Sequence, residues 1–521
     1  MENKRKCVLQ KIPATVKTAF FACLICGLLV HLFAFTNLIP NSDGLGRIYD
    51  RQQMTVSGRW FLHYASSFNA YIQAPALIGA LSVLFFSVAA ALITDILKVK
   101  SKLFAAFIGM FTVVFPSVAY TYLYMFTASA YAFGILLAVF GVWLCVKLRF
   151  GFIPAIFCIA CATGVYQAYF AVAAALALCR VIVDLLGDDD VKMSLKRAMW
   201  LVISLAGGAV AYYVILKIFL VVKHLELLSY LGMNEVEFSF SKIVSGTVTA
   251  YKQFILYFFR PGTESYVTKL FVSFNVLLAV SLVCALIVKL KNGEGKKAAR
   301  IVLLAAAFIL LPLACNLTTL FSDSTPIMRY AFVLVYILAA AVCSQAFDKT
   351  QFKAFSAKSL IGVVCAFIVL ISAQTANIAY TASATAHRSA QTFATNLVGR
   401  VESLDGYKNG MEVVIIGAFP ADVYYSDIEI FRRVEHYSCL SSSPMQLCKH
   451  TYYYLNDWLN VKWKEPDEET FISVSDSDTF KAMALYPDDG SVAIVDGKVV
   501  VRLAETYTPK QQYELDYENR K

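Results

Sequence analysis

Charge is what this chain of 521 residues has least of: Asp, Glu, Lys and Arg make up 16%, where a soluble domain carries about a quarter. That scarcity, beside 59% hydrophobic residues and a mean hydropathy of +0.62, excludes a soluble globular enzyme, a disordered chain and a fibrous one. Nucleotide-binding and hydrolase signatures are missing too: the chain holds no Walker loop, GxGxxG, HExxH or serine nucleophile elbow. Cysteine is present thirteen times, but eleven of these, from Cys7 to Cys365, lie in or beside apolar runs. They do not assemble the spaced Cys and His set of a zinc site, and small apolar packing is the role they favour.

What the chain does have is lipid-compatible length. Apolar runs cover residues 16–39, 75–97, 103–119, 127–146, 152–165, 168–186, 198–222, 270–288, 301–320, 330–347 and 360–380. A span needs about 20 residues, so this predicts about eleven transmembrane helices, of which 152–165 is the weakest. The run at 16–39 follows Lys4, Arg5, Lys6 and Lys11 as a signal peptide would, yet it is long enough to span and has no small-x-small cleavage site at its end. It reads as a retained first helix with a cytoplasmic N-terminus. The net charge of +10 is then topological rather than a groove for nucleic acid. Alternating spans put Lys98, Lys100, Lys102, Lys147, Arg149, Lys192, Lys196, Arg197, the cluster 289–300 and Lys349, Lys353 and Lys358 on the same, cytoplasmic, side.

Three segments fall on the other side: 40–74, 223–269 and the tail 383–521. Within the second, 241–259 carries apolar residues at near-helical spacing, an interfacial helix or equally a short buried one. The tail changes character. Residues 411–419 and 491–503 are β-branched, the latter broken by Asp496-Gly497, a hairpin signal, and 452–461 alternates aromatics and leucines as a helix does. The expectation is an α-helical polytopic membrane domain over 1–382, with outer loops 40–74 and 223–269, and a small extracytoplasmic α/β domain over 383–521. There Cys439 and Cys448, the two cysteines of the polar tail, are placed to form a disulfide.

Ionisable residues beside a bundle in lipid are expensive and so are default functional candidates. Asp43, in Asn41-Ser42-Asp43-Gly44, is placed to accept a proton from a sugar hydroxyl; its bland reading is a turn with good turn chemistry. In Gly58-Arg59-Trp60 a guanidinium is able to bind an anion while the indole stacks on a sugar, or both serve as interfacial anchors. Tyr166-Gln167-Ala168-Tyr169 offers two phenols and an amide suited to a polyol, or belongs to an aromatic belt. Arg329, after Asp323-Ser324-Thr325-Pro326, is placed either to clamp a lipid phosphate in bidentate fashion or to snorkel.

In order along the chain, an acidic residue follows helix one, a GRW precedes helix two, a Tyr-Gln-Ala-Tyr falls near mid-bundle and an Arg opens a late helix. The tail then carries MEVVIIG, Tyr486-Pro487-Asp488-Asp489-Gly490-Ser491 and IVDGKVVVRL. Together these resemble the bacterial Gtr-type (type II glucosyl transferase) family of membrane proteins that decorate O-antigen and related glycans. The resemblance implies a GT-C-like glycosyltransferase of the bacterial inner membrane. Such an enzyme moves a hexose, glucose by preference, from a polyprenyl-phosphate donor to a surface glycan on the outer face, with inversion and without a metal or other cofactor. It implies Asp43 as base with Asp50 in reserve, Arg329 and Arg59 at the donor phosphate, and Trp60, Tyr166, Gln167 and Tyr169 at the sugars. The partners are the donor lipid, the acceptor glycan, the bilayer, and an upstream flippase and donor-synthesising enzyme. The competing readings are a lipid-linked glycan flippase or transporter and a glycan polymerase.

Overall fold

Lipid offers no hydrogen bonds to a bare backbone, so each apolar run must close its own ladder as a helix. The computed structural model describes residues 12–46, 48–187, 190–227, 240–292, 298–322, 324–347, 356–424, 428–435, 437, 443–445 and 448–503. Among these, ten helices are long and apolar enough to cross a membrane. The chain divides into two compact units, one of residues 1–36 and 51–377, the other of 37–50 and 378–521.

The first unit is a helical bundle. Its elements are α1 (Ala14–Thr36), α2 (Pro75–Ile96), α3 (Lys102–Val114), α4 (Pro116–Leu123), α5 (Met125–Lys147), α6 (Phe152–Val165) and α7 (Tyr169–Leu186). They continue with α8 (Val191–Val222), α9 (Phe240–Phe259), α10 (Lys269–Asn292), α11 (Ala298–Cys315), α12 (Val333–Ala346) and α13 (Ala357–Glu402), of which only the first part belongs to this unit. Pro116 breaks one span into α3 and α4. The span Lys102–Leu123 is 83% buried within the protein and that over Val191–Val222 only 17%. The first therefore lines the core, while the second leaves Val202, Val210, Ile218, Val221 and Val222 exposed, a surface suited to lipid chains. Close approach needs small residues. A Cβ on Gly109 of α3 would collide with the carbonyl oxygen of Ala19 in α1.

Hydrogen bonds sort the connections between helices into two ends. At one end Lys98 Nζ reaches Asp184 Oδ1 (3.1 Å), Arg300 donates to the Gly187 carbonyl (2.8 Å) and Gln345 to that of Leu97 (3.4 Å). The carboxylate of Asp184, 1% exposed, also holds Arg180 (2.8 Å) and Arg197, the pairing that a buried charge requires. At the other end Phe61 N–H donates to the Gly164 carbonyl (2.9 Å) and Arg329 pairs with Glu264. Helix α6 decides the count. Its 14 residues extend only about 21 Å, yet Phe152 at its start stacks on Trp200 (4.5 Å) near the start of α8, and Gly164 near its finish meets Phe61. It therefore runs from one end to the other and keeps the later helices in alternation. Lys98, Arg197 and Arg300, from three of the basic connections, thus share one end, in line with the charge pattern, while Lys349 and Lys353 lie outside the described residues. The segment 241–259 forms α9, with Ala250, Tyr257 and Phe258 buried and Val244, Val248, Ile255 and Phe259 exposed.

In the second unit, strands β1 (Val413–Ile416), β2 (Val492–Val495) and β3 (Lys498–Arg502) form a sheet of order β1-β3-β2. β1 runs parallel to β3, and β2 and β3 are the antiparallel hairpin predicted at Asp496-Gly497. Both turn residues have positive φ, +49° and +74°, as the tight turn matching strand twist demands. Alternation along the strands makes two cores. Val413, Ile415, Val499 and Val501 face Phe393, Leu397, Tyr452 and Tyr454, while Val414, Ile416 and Val500 face Phe471 and Phe480.

Two details differ from the sequence reading. The helix expected to stop near residue 380 continues to Glu402, because Ala390, Phe393, Ala394, Leu397 and Val401 recur at helical spacing and bury against the sheet. The helix expected over 452–461 is Cys448–Tyr453 followed by the wider turn Tyr454–Trp458. Leu45, from the segment after α1, is fully buried in the first of the two cores. Of the expected disulfide, Cys439 lies outside the described residues, and of Cys448 only its place at the start of its helix is described.

Candidate active site

The segment before α2 turns on Gly58. This residue closes the 3-10 turn Thr55–Ser57 with φ of +78°, a conformation costly for any residue bearing a Cβ. Beyond it Arg59 and Trp60 diverge. The Trp60 ring is 5% exposed and lies nearly parallel to Phe219 of α8 at 5.7 Å. On its edge is Gly164, where a Cβ would come within 2.7 Å of the indole. Its Nε1 has no hydrogen-bond partner among the described residues. Trp60 thus docks the segment into the bundle, and Phe219 occupies a ring face that a sugar would need.

Arg59 points to the tyrosines. Its Nη1 donates to Tyr131 Oη (3.2 Å), and its guanidinium lies 4.9 Å from the centre of the Tyr166 ring, a cation-π arrangement. Tyr131 and Tyr166 stack at 4.9 Å, with Tyr169 edge-on to both. Gln167 Nε2 donates to the Ser57 carbonyl (2.8 Å) and to Tyr212 Oη (3.3 Å), and Tyr212 Oη donates to the Gly58 carbonyl (3.1 Å). Two motifs more than a hundred residues apart therefore form one cluster. Tyr166 and Tyr169 are 4% and 2% exposed, so the chemistry they offer passes through Arg59, which is partly exposed.

Arg329 lies in the 3-10 segment Pro326–Phe332 that leads into α12, packed against α7, the helix that Tyr169 opens. Its Nη1 pairs with Glu264, Nη2 donates to the Ser324 carbonyl (2.7 Å) and Nε to Ser324 Oγ (3.3 Å). Glu264 is 4% exposed. Sequence reasoning passed over this carboxylate, which sits in the short polar connection Arg260-Pro261-Gly262-Thr263-Glu264-Ser265 and gives no local sign of its burial.

Asp43 and Asp50 belong to the segment counted with the C-terminal unit. Asp43 is exposed on a one-turn 3-10 helix, Ser42–Gly44, capped by Asn41 Oδ1, which accepts from Gly44 N–H (2.7 Å). Asp50 is half-buried. The structure thus gathers Arg59, Tyr166, Gln167 and Tyr169 into one cluster through Tyr131, Tyr212 and the Ser57–Gly58 backbone, gives Arg329 a partner of its own, and assigns the two acids to the other unit. Among the described residues, no group of three or more His, Cys, Asp or Glu is placed to hold a metal ion.

A family model described as Glucosyl transferase GtrII matches residues 32–344. The chain belongs to the glucosyl transferase GtrII family. It is accordingly a multi-pass membrane glycosyltransferase that takes a sugar from a donor and passes it to an acceptor. The GtrII match encloses Asp43, Asp50, the Arg59 cluster, Glu264 and Arg329, and stops at residue 344, before α13 and the sheet. No curated protein and no solved structure was found to match the chain.

Proposed function

We propose that this GtrII protein transfers glucose from a polyprenyl-phosphate donor to a hydroxyl of a surface glycan, with inversion, at the outer face of the bacterial inner membrane. In this reading residues 1–15 are cytoplasmic and the C-terminal unit is outside. The observation that carries it is the Arg59 cluster. It is a guanidinium held by two stacked phenols, at the bundle end that also bears the Arg329–Glu264 pair, where headgroup phosphates lie in a bilayer. The hydrogen bonds among the basic connections support their sharing one side, which positive-inside bias makes cytoplasmic. The transport reading gains less support, because the paired charges described above sit at helix ends and connections rather than along a path through mid-membrane.

The chemistry follows from where charge develops. An acceptor hydroxyl attacks the donor's C1 as the C1–O bond to phosphate breaks, and the departing monophosphate gains negative charge. Arg59, and Arg329 as it exchanges Glu264 for phosphate, stabilise that charge most when it is greatest. Tyr131 and Tyr166 hold Arg59 in register, Tyr169 buttresses those rings and Gln167 fixes the backbone before Arg59, and Trp60 anchors the segment. A carboxylate must take the proton of the attacking hydroxyl. Asp43 is assigned that role because it is exposed on a capped, ordered turn, with Asp50 as the alternative.

The test uses membranes containing the protein, polyprenyl-phosphate glucose and polysaccharide from a strain lacking this chain, with linkage analysis of the product. Asp43→Asn is expected to lose about a hundredfold or more in turnover, the usual share of a general base. Loss in Asp50→Asn alone moves the base within the segment. Full turnover in both variants overturns the mechanism.

A further inference from the structure

The C-terminal unit holds a groove that the transfer chemistry above does not use. Its volume is about 660 Å³, within the range of about 300–1,000 Å³ typical of small-molecule sites. One wall is the second half of α13, which presents Asn396, Gly399, Arg400 and Ser403; the other is the turn 486–492, with Tyr424 closing one side. Tyr424 and Tyr486 share a hydrogen bond between their hydroxyls (2.8 Å), with rings inclined by 26° and 6.2 Å apart. Asn396 Nδ2 donates to Tyr424 Oη (3.3 Å). The Arg400 guanidinium lies 5.0 Å from the Tyr486 ring centre, and its Nη1 is 3.4 Å from both Ser491 Oγ and the Asp488 carbonyl. Asp489 and Gly490 form the rim, exposed, with φ of +84° at Gly490.

This lining has a definite chemical preference. Asn396, Arg400, Ser403, Tyr424, Tyr486 and Ser491 each hydrogen-bond a neighbour, so these donors and acceptors are preorganised. The lining holds one guanidinium, Arg400, and one exposed carboxylate, Asp489, so the groove does not select a polyanion. Phenols, an amide and hydroxyls provide mixed donors and acceptors, and the partly exposed Tyr424 adds an apolar ring with a polar edge. An uncharged polyol with apolar ring faces and many hydroxyls matches this lining; a lipid chain or a strand of nucleic acid does not.

We infer that this groove binds a saccharide segment of the acceptor glycan and so tethers the polymer for transfer. The acceptor identity rests on the proposed transfer function; the groove's preference for saccharide rests on its own lining. Binding energy from parts of a substrate remote from the reacting bond is a normal source of specificity.

Two variants separate the outcomes. Outside its own helix turn nothing lies within 4 Å of a Cβ built on Gly399, which is exposed on α13 and lines the groove, so Gly399→Phe puts a ring at the groove wall with no clash at Cβ and improves helix propensity. Asn396→Ala removes an exposed amide. The full-length protein in detergent is titrated with fluorescently labelled polysaccharide from the strain lacking this chain, and thermal unfolding of each variant confirms the fold. Binding is expected to weaken about tenfold in Asn396→Ala, as for a lost hydrogen bond or two, and to vanish in Gly399→Phe. The apparent KM for polysaccharide should rise likewise, with the KM for donor unchanged. Equal binding by wild type and both variants, or no binding by wild type, overturns the groove even where glucose transfer is intact. Groove-dependent binding without any glucose transfer sustains the saccharide site and overturns the transfer reading instead.

Discussion

The Arg329–Glu264 pair separates a phosphate clamp from a structural tie, because the two predict opposite responses to the same substitutions. The side chains are 12% and 6% exposed, so removing one charge leaves the other buried without compensation, at a cost of about 3–5 kcal/mol. Arg329→Ala should therefore destabilise the bundle by about that amount and lose nearly all turnover. Arg329→Lys keeps the charge beside Glu264 but cannot also donate to the Ser324 carbonyl and hydroxyl, now 2.7 and 3.3 Å from the guanidinium. One or two lost hydrogen bonds at about 1 kcal/mol each put the stability cost near 1–2 kcal/mol. If the guanidinium also grips the leaving phosphate, the same variant falls about tenfold or more in turnover, since an ammonium lacks the planar fork. Glu264→Gln is the decisive case. It frees the guanidinium from its neutralising partner, so a clamp predicts a lower KM for the donor despite a less stable protein, whereas a structural tie predicts loss of stability alone. Thermal unfolding in detergent and turnover across a donor titration measure the two effects separately. Full activity of Arg329→Lys at every donor concentration, with no change of donor KM in Glu264→Gln, refutes the clamp.

Leu45 is fully buried among Phe393, Tyr452 and the sheet, so Leu45→Ala should cost about 2–5 kcal/mol and impair turnover although both nearby carboxylates remain. Unfolding melts and activity check this, and unchanged values would show that the 37–50 segment is not held by this contact. Burial, with a lesser effect from Lys449, lowers the His450 pKa to about 4 from an ordinary 6.5. The unfolded chain therefore binds the proton more readily, and stability of the C-terminal unit is full above the ordinary value and declines as pH falls through the window toward about 4. Each pH unit is worth up to about 1.4 kcal/mol. Melts across this range should lose part of their slope in His450→Gln, and an unchanged slope would exclude His450 as its source.

Much of the membrane unit was legible along the chain because lipid makes secondary structure a local matter: a run of apolar residues must be a helix whatever surrounds it. The spans, their alternation and the clustering of basic connections follow from that. The Asp496-Gly497 hairpin was likewise legible, since two positive-φ residues between β-branched runs specify the turn without help from distant contacts. Glu264 was invisible as a functional residue until folding set it beside Arg329, 65 positions away. The burial of Trp60 depends on Gly164 and Phe219, which no local pattern connects to it. The extension of α13 to Glu402 depends on a sheet that buries one face of a helix whose other faces are polar, so hydropathy alone ended it too early. Sequence by itself thus determined the apolar spans, the β-branched strands and their hairpin turn, through backbone hydrogen bonding and apolar length. Tertiary structure alone decided which charges neutralise each other, which aromatics are spent on packing, and that Leu45 anchors its segment in the C-terminal core, because those outcomes depend on desolvation by residues remote in the chain.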